Sequence, residues 1–150
     1  MSMVRSITEN DLGALSEIVR RCVRESVVSS EKDAQFLVED IEASLSGWFE
    51  KGMNGFGRIY EDEGRVVGFI VVKDYWNLSH LFVLPDFYRR GIGAALIRGA
   101  MEGCATKSPK GKLRLNSSSH AAPFYHAMGF EQTGPGIDRQ GGCIPFEYAF

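Results

Sequence analysis

One stretch constrains the fold more than any other: Leu81-Phe82-Val83-Leu84-Pro85-Asp86-Phe87-Tyr88-Arg89-Arg90-Gly91-Ile92-Gly93-Ala94-Ala95-Leu96. An apolar run stops at a proline, passes two arginines and enters a helical pattern at two glycines. Proline cannot donate to a strand ladder, so the strand ends there. The helix that follows sets Ile92, Ala95, Leu96, Gly99 and Ala100 on one side. That face is built of small residues and can lie close against a sheet. A buried strand, a basic turn and a helix in succession call for a layered α/β architecture.

The flanking sequence agrees. Thr8 and Asp11 are spaced as a capping box, and Leu12, Leu15, Ile18, Val19, Cys22 and Val23 recur at helical intervals until Ser29 and Ser30 interrupt them. A second helix is predicted from about Asp33 to Phe49, with Leu37, Ile41, Leu45 and Trp48 or Phe49 as its apolar stripe. Strands are predicted at Val4–Ile7, Phe56–Glu61 and Arg65–Asp74, the last two joined by a turn at Asp62-Glu63-Gly64. Val66 to Val72 is apolar on both faces, which places that strand in the centre of the sheet. A strand from His80 to Leu84 precedes the basic turn. Leu113 and Leu115 mark a further strand, Ala121 to Met128 a short helix, and Glu131–Thr133 with Ile144–Phe150 a closing hairpin around a long Gly-rich loop. The predicted order is βααβββαβαββ, a mixed α/β layer fold in one domain, residues 1–150.

The chemistry starts at Gly91. The first turn of a helix leaves main-chain N–H groups without intrahelical partners, and the helix dipole adds positive potential there. Glycines at 91 and 93 let an anion rest on the backbone, and Arg89 and Arg90 add charge beside it. Residues Arg89, Arg90, Gly91, Ile92, Gly93 and Ala94 thus read as a pyrophosphate cradle. A Walker loop needs Gly-Lys-Ser/Thr, which is absent, and the GxGxxG dinucleotide motif needs glycine where Leu96 stands. A P-loop nucleotidase and an NAD enzyme are thereby disfavoured. CoA carries both a pyrophosphate and a long amide-bearing arm, and that arm can pair with the strand edge at Leu81, Phe82 and Val83.

This stretch resembles the [Q/R]xxGx[G/A] signature of the GNAT superfamily of N-acetyltransferases. A second segment, Ser118-Ser119-His120-Ala121-Ala122-Pro123-Phe124-Tyr125-His126-Ala127-Met128-Gly129-Phe130, is similar to the family's later motif, which ends in FYxxxGF. The resemblance implies a mostly antiparallel, twisted sheet flanked by helices. It implies acetyl-CoA as cosubstrate, no metal, and direct transfer to a primary amine of a small molecule or peptide. It matches Tyr125 to a tyrosine beside the thioester sulfur, a general acid for the departing thiolate, and Ser118 to a position where relatives contact the cofactor through asparagine. Two positions depart from the pattern. Tyr88 replaces the usual Gln or Arg, and Leu113 stands where some relatives keep a glutamate base.

An alkylammonium must lose a proton before it attacks, since its pKa is about 10.4. Asn77 and Ser79 share a strand face with Leu81 but are not basic. His80 is basic near neutrality, and it is the candidate catalytic base, although strict alternation turns it to the opposite face unless a bulge intervenes. His120, His126 and Glu147 are weaker candidates, and Trp48, Tyr75 and Trp76 are candidate acceptor-site aromatics. Without a base the chain could instead be a non-catalytic acyl-CoA-binding regulatory module. Net charge is −2, which argues against a nucleic-acid or anionic-membrane surface. Three scattered cysteines and an N-terminus without an apolar segment point to a cytoplasmic protein. Assembly is left open, a homodimer included.

Overall fold

The computed structural model describes residues 1–27, 30–137 and 143–150, with the side chains of 26 and 27 excluded. The break expected at Ser29 and much of the Gly-rich loop, 138–142, lie outside the described residues. The elements are β1 (Ser2–Ser6), α1 (Leu12–Cys22), α2 (Glu31–Glu50), β2 (Gly55–Asp62), β3 (Arg65–Lys73), β4 (Asn77–Val83), α3 (Ile92–Cys104), β5 (Lys112–Ser117), α4 (Ala122–Ala127), β6 (Glu131–Gln132) and β7 (Ile144–Ala149). Among the described residues seven strands form one sheet in the order β1-β2-β3-β4-β5-β7-β6, antiparallel throughout except between β4 and β5.

The central position of β3 follows from its side chains. Val67 to Val72 are all buried, so helices cover both sheet faces. Neighbouring positions of β2 identify which helices. A Cβ added at Gly57 would meet the Trp48 ring of α2 at 2.6 Å, whereas Phe56 reaches Gly99 and Gly103 of α3. Adjacent residues of a strand point to opposite faces. One face therefore carries α1 and α2, and the other carries α3. Phe124 of α4 lies against the Gly93 position of α3, which puts α4 on the α3 side. Gly57→Ala is expected to destabilise the fold by about 1–3 kcal/mol through overpacking against Trp48. Urea unfolding checks this, and an unchanged midpoint would contradict the packing.

Local chemistry sets the element ends. The β2–β3 turn has φ of 50° at Glu63 and 78° at Gly64, the left-handed pair that a two-residue hairpin needs. Ser30 Oγ accepts from Asp33 N at 3.1 Å and caps α2. At the start of α1 the Asp11 carboxylate accepts from Thr8 N (2.7 Å) and from the Arg5 guanidinium (2.9 and 3.0 Å). The Arg5 hydrogen bonds hold the Asp11 pKa below the ordinary carboxylate value, against the opposing effect of burial. A carboxylate with a lowered folded pKa stabilises the fold above its unfolded pKa of about 3.9, and this is lost as pH falls through the folded value. Asp11→Asn should therefore cost about 1–3 kcal/mol at pH 7. In denaturant titrations the gap between variant and wild type should shrink as pH drops below about 4. A gap that grows on acidification would contradict the pairing.

β4 begins at Asn77, three residues before the predicted start at His80, and it contains a bulge. Val71 pairs with His80 but Val72 pairs with Leu78, so Ser79 is the extra residue. The bulge does not bring His80 to the Leu81 side. The His80 ring faces α2, where Nε2 lies 3.3 Å from Ser44 Oγ, and it stacks on Phe82.

Candidate active site

β4 and β5 meet at a single pair, Asn77 with Arg114, reinforced by Arg114 N donating to Trp76 O at 2.8 Å. Beyond that pair the strands part. A cavity of about 620 Å³ fills the gap, a size suited to a small ligand. Its wall includes Cys22, Val23, Leu37 and Ile41 from the α1/α2 face and Gly93, Phe124 and Tyr125 from the α3 face. Contributions from both faces mean that the cavity passes through the sheet.

One end of the cavity is the start of α3. Gly91 is the N-cap with φ 77°, and Arg89 is left-handed at φ 65°. Among the described residues no side chain caps this helix. Among the described residues, no protein acceptor takes the main-chain N–H of Arg89, Arg90, Gly91, Ile92, Gly93 or Ala94. A Cβ at Gly91 would meet nothing within 4 Å, so the space over these amides is open. Six unpartnered donors at a helix start are an arrangement able to hold an anion. Arg89 lines the cavity, and Arg90 sets its guanidinium 4.7 Å over the ring of Phe87, itself a lining residue.

β4 forms the next part of the wall. Leu84 N donates to Val67 O at 2.8 Å, which fixes the ladder alternation: Leu84, Phe82 and His80 face β3. The main-chain groups of Leu81 and Val83 then point into the gap, where β5 has already diverged. Val83 O accepts from the Cys22 thiol at 3.1 Å, leaving Leu81 N–H, Leu81 C=O and Val83 N–H as open edge groups. Phe82 was expected to offer main chain as well. It contributes its side chain instead.

Tyr125 stands on the far wall, buried, with its ring edge-on to Phe124 and Phe130. Burial pushes the phenol pKa above its ordinary value, so it stays protonated at neutral pH. Among the described residues its hydroxyl has no hydrogen-bond partner, and no buried polar side-chain atom is left unsatisfied, so the hydroxyl faces open cavity. Ser118 also lines the cavity, where its Oγ accepts from Ala121 N at 3.1 Å and shapes the entry to α4.

The base candidates fare differently. His80 is buried and is not among the cavity-lining residues; burial, then the Lys73 charge, lower its pKa to about 3. Ser79 lines the cavity, and its Oγ donates to Asn77 O at 3.2 Å. His120 lines the exposed rim, and His126 is exposed outside it. Glu147 pairs with Lys112 at 3.1 Å. Trp48 is core, donating from Nε1 to Asn54 O, and Tyr75 and Trp76 lie under Lys107 and Lys110. Cys22, Val23, Leu37 and Ile41 also wall the cavity, a role hidden in the sequence because helical spacing marks an apolar face without saying what it faces.

Residues 17–146 match the acetyltransferase (GNAT) domain family. A 73-residue stretch is 32% identical to the peptidyl-lysine N-acetyltransferase YiaC of Escherichia coli (strain K12), covering 48% of this chain and 47% of that protein. The match thus spans about half the length of that curated relative. A solved GCN5-related N-acetyltransferase from Rhodopseudomonas palustris superposes with a TM-score of 0.82 at 18% identity, over 100% of this chain and 96% of that one. The PaiA N-acetyltransferase from Thermoplasma acidophilum, solved in complex with coenzyme A, gives 0.76 at 19% identity over 100% and 99% of the two chains. At such identities the likeness to these structures is one of fold. With residues 17–146 matched to that domain, the chain belongs to the GNAT acetyltransferase family.

Proposed function

We propose that residues 1–150 form one acetyltransferase domain that moves the acetyl group of acetyl-CoA to an amine by direct attack. The observation that carries this reading is the pairing of six unpartnered amides with a free tyrosine hydroxyl along one cavity through the sheet. The PaiA structure contains coenzyme A in the same fold, which supports the cosubstrate assignment. Acetyl-CoA supplies an activated thioester. The amides from Arg89 to Ala94 hold its diphosphate, with Arg89 adding charge. Leu81 and Val83 pair with the arm as a neighbouring strand would, and Phe82 and Ser118 flank it.

The amine nitrogen bonds to the carbonyl carbon, the C–S bond breaks, and the amine proton leaves to water. Tyr125 donates to the sulfur as negative charge develops there. The same burial that raises the phenol pKa also raises that of the departing thiol, so donor and acceptor stay matched. His80 takes no part in proton transfer in this scheme, because its ring is turned to Ser44 and its basicity is suppressed. Unpaired thiols at Cys22, Cys104 and Cys143 suit a reducing cytoplasm.

Release of free thiol from acetyl-CoA in the presence of an amine panel tests the proposal. Amine-dependent release is the expected result. Tight acetyl-CoA binding with no release from any amine would identify a regulatory binding module instead.

A further inference from the structure

The two mouths of the cavity differ in chemistry. On the α3 side are the anion cradle and Tyr125. The α1/α2 side is walled by Val23, Leu37 and Ile41, with Leu78 and Phe82 of β4 beneath them. With the diphosphate held at the start of α3 and the arm along β4, an acceptor enters from the α1/α2 side. A strong base arrives there at neutral pH as a cation, and a dry site needs a carboxylate to seat that charge or a base to remove the proton. Among the described residues no aspartate or glutamate lines the cavity.

Among the described residues, the ionisable groups that line it are Cys22, Tyr88, Arg89, His120 and Tyr125. Burial pushes the Cys22 thiol up to about 11 and the Tyr125 phenol higher still, so both are neutral donors. Tyr88, whose side chain hydrogen-bonds with Cys22, and Arg89 and His120 lie at exposed positions of the cavity wall. On the helix above the mouth, Glu42 is spent on Arg20 at 3.2 Å, and Lys73 donates to Ser44 Oγ at 2.6 Å.

We propose that the acceptor is a weakly basic amine set beside an apolar group, the chemistry of a peptide α-amine whose first side chain is apolar. This rests on the acetyl-transfer reading above. An α-amine of pKa about 7.7–8.0 is free base in roughly one molecule of seven at pH 7, whereas a lysine ε-amine at about 10.4 is free in about one of 2,500. A wall with no carboxylate among the described residues can take the first directly. The apolar mouth seats the adjoining side chain, and it repels a charged one.

Thiol release from acetyl-CoA is followed with four acceptors: a lysine-free peptide beginning with leucine, its counterpart beginning with aspartate, an Nα-acetylated peptide with one lysine, and leucinamide. The expected kcat/KM for the leucine peptide exceeds that for the aspartate peptide at least about tenfold and that for the lysine peptide at least about 30-fold. Leucinamide matching the peptide supports the same chemistry with a small molecule as its source. In wild type the acid limb of the pH profile moves with the pKa of each amine. Ile41→Asp lowers kcat/KM for the leucine peptide at least about tenfold with acetyl-CoA affinity held within about threefold. The lysine peptide turning over as fast, or an acid limb fixed at one pH for every amine, overturns the proposal while leaving acetyl transfer intact. Acetyl-CoA binding without release from any amine overturns the transferase reading itself.

Discussion

Gly91→Val is expected to weaken acetyl-CoA binding at least about 100-fold, or about 2.8 kcal/mol. Two causes combine. Gly91 sits at φ 77°, a conformation that a β-branched residue adopts only under strain of about 1–3 kcal/mol. The open space over the amides, now unobstructed within 4 Å of an added Cβ, would hold the valine where the diphosphate should rest. Strain alone could loosen the whole fold, so a matched control separates the two. Gly52 has φ 90° and equally open surroundings, but it lies at the C-terminal end of α2, away from the cavity lining. Gly52→Val should lose similar thermal stability and keep acetyl-CoA affinity within about threefold. Isothermal titration of both variants decides the matter. Equal affinities would contradict the cradle.

Tyr125→Phe is expected to lower kcat by about 10²- to 10⁴-fold, the range for a positioned proton donor. Acetyl-CoA affinity should stay within about threefold, because the contribution belongs to the charge that develops on sulfur rather than to the bound thioester. Removing the hydroxyl breaks no protein hydrogen bond among the described residues, and the edge-on contacts with Phe124 and Phe130 remain. The melting temperature should therefore hold. Pre-steady-state and binding measurements on one preparation separate these quantities. Matching losses in kcat and affinity would make Tyr125 a packing residue. Since burial raises the phenol pKa, a wild-type activity loss caused by tyrosine ionisation belongs above pH 10.

Much of this arrangement was legible in the residues themselves. The unbroken apolar run of β3 announced a strand covered on both faces, and Asp62-Glu63-Gly64 announced its hairpin. Pro85 and the glycines at 91 and 93 marked the strand end and the cradle because each has a conformational meaning independent of context. Tyr125 came from the family resemblance, not from any local rule. What failed to show depends on pairing between distant segments. The bulge at Ser79 arises from the register of β3 on β4, so periodicity started β4 too late at His80. The main-chain direction of Phe82 is fixed by the bond from Leu84 to Val67, a fact of the ladder and not of the side chain. Leu37 and Ile41 sat on the predicted stripe of α2, yet they line a cavity, because an apolar stripe looks alike whether it meets core or ligand. Arg90 illustrates the limit for charge: its stacking on the ring of Phe87 depends on how the turn folds, which the spacing of two arginines does not announce.

The most direct measurement is a crystal structure of this chain with coenzyme A. Diphosphate oxygens are expected about 2.7–3.2 Å from main-chain nitrogens between Arg89 and Ala94, with the arm paired to Leu81 and Val83 and the sulfur beside the Tyr125 hydroxyl. A diphosphate held elsewhere, or a sulfur that never enters the gap between β4 and β5, would contradict that placement.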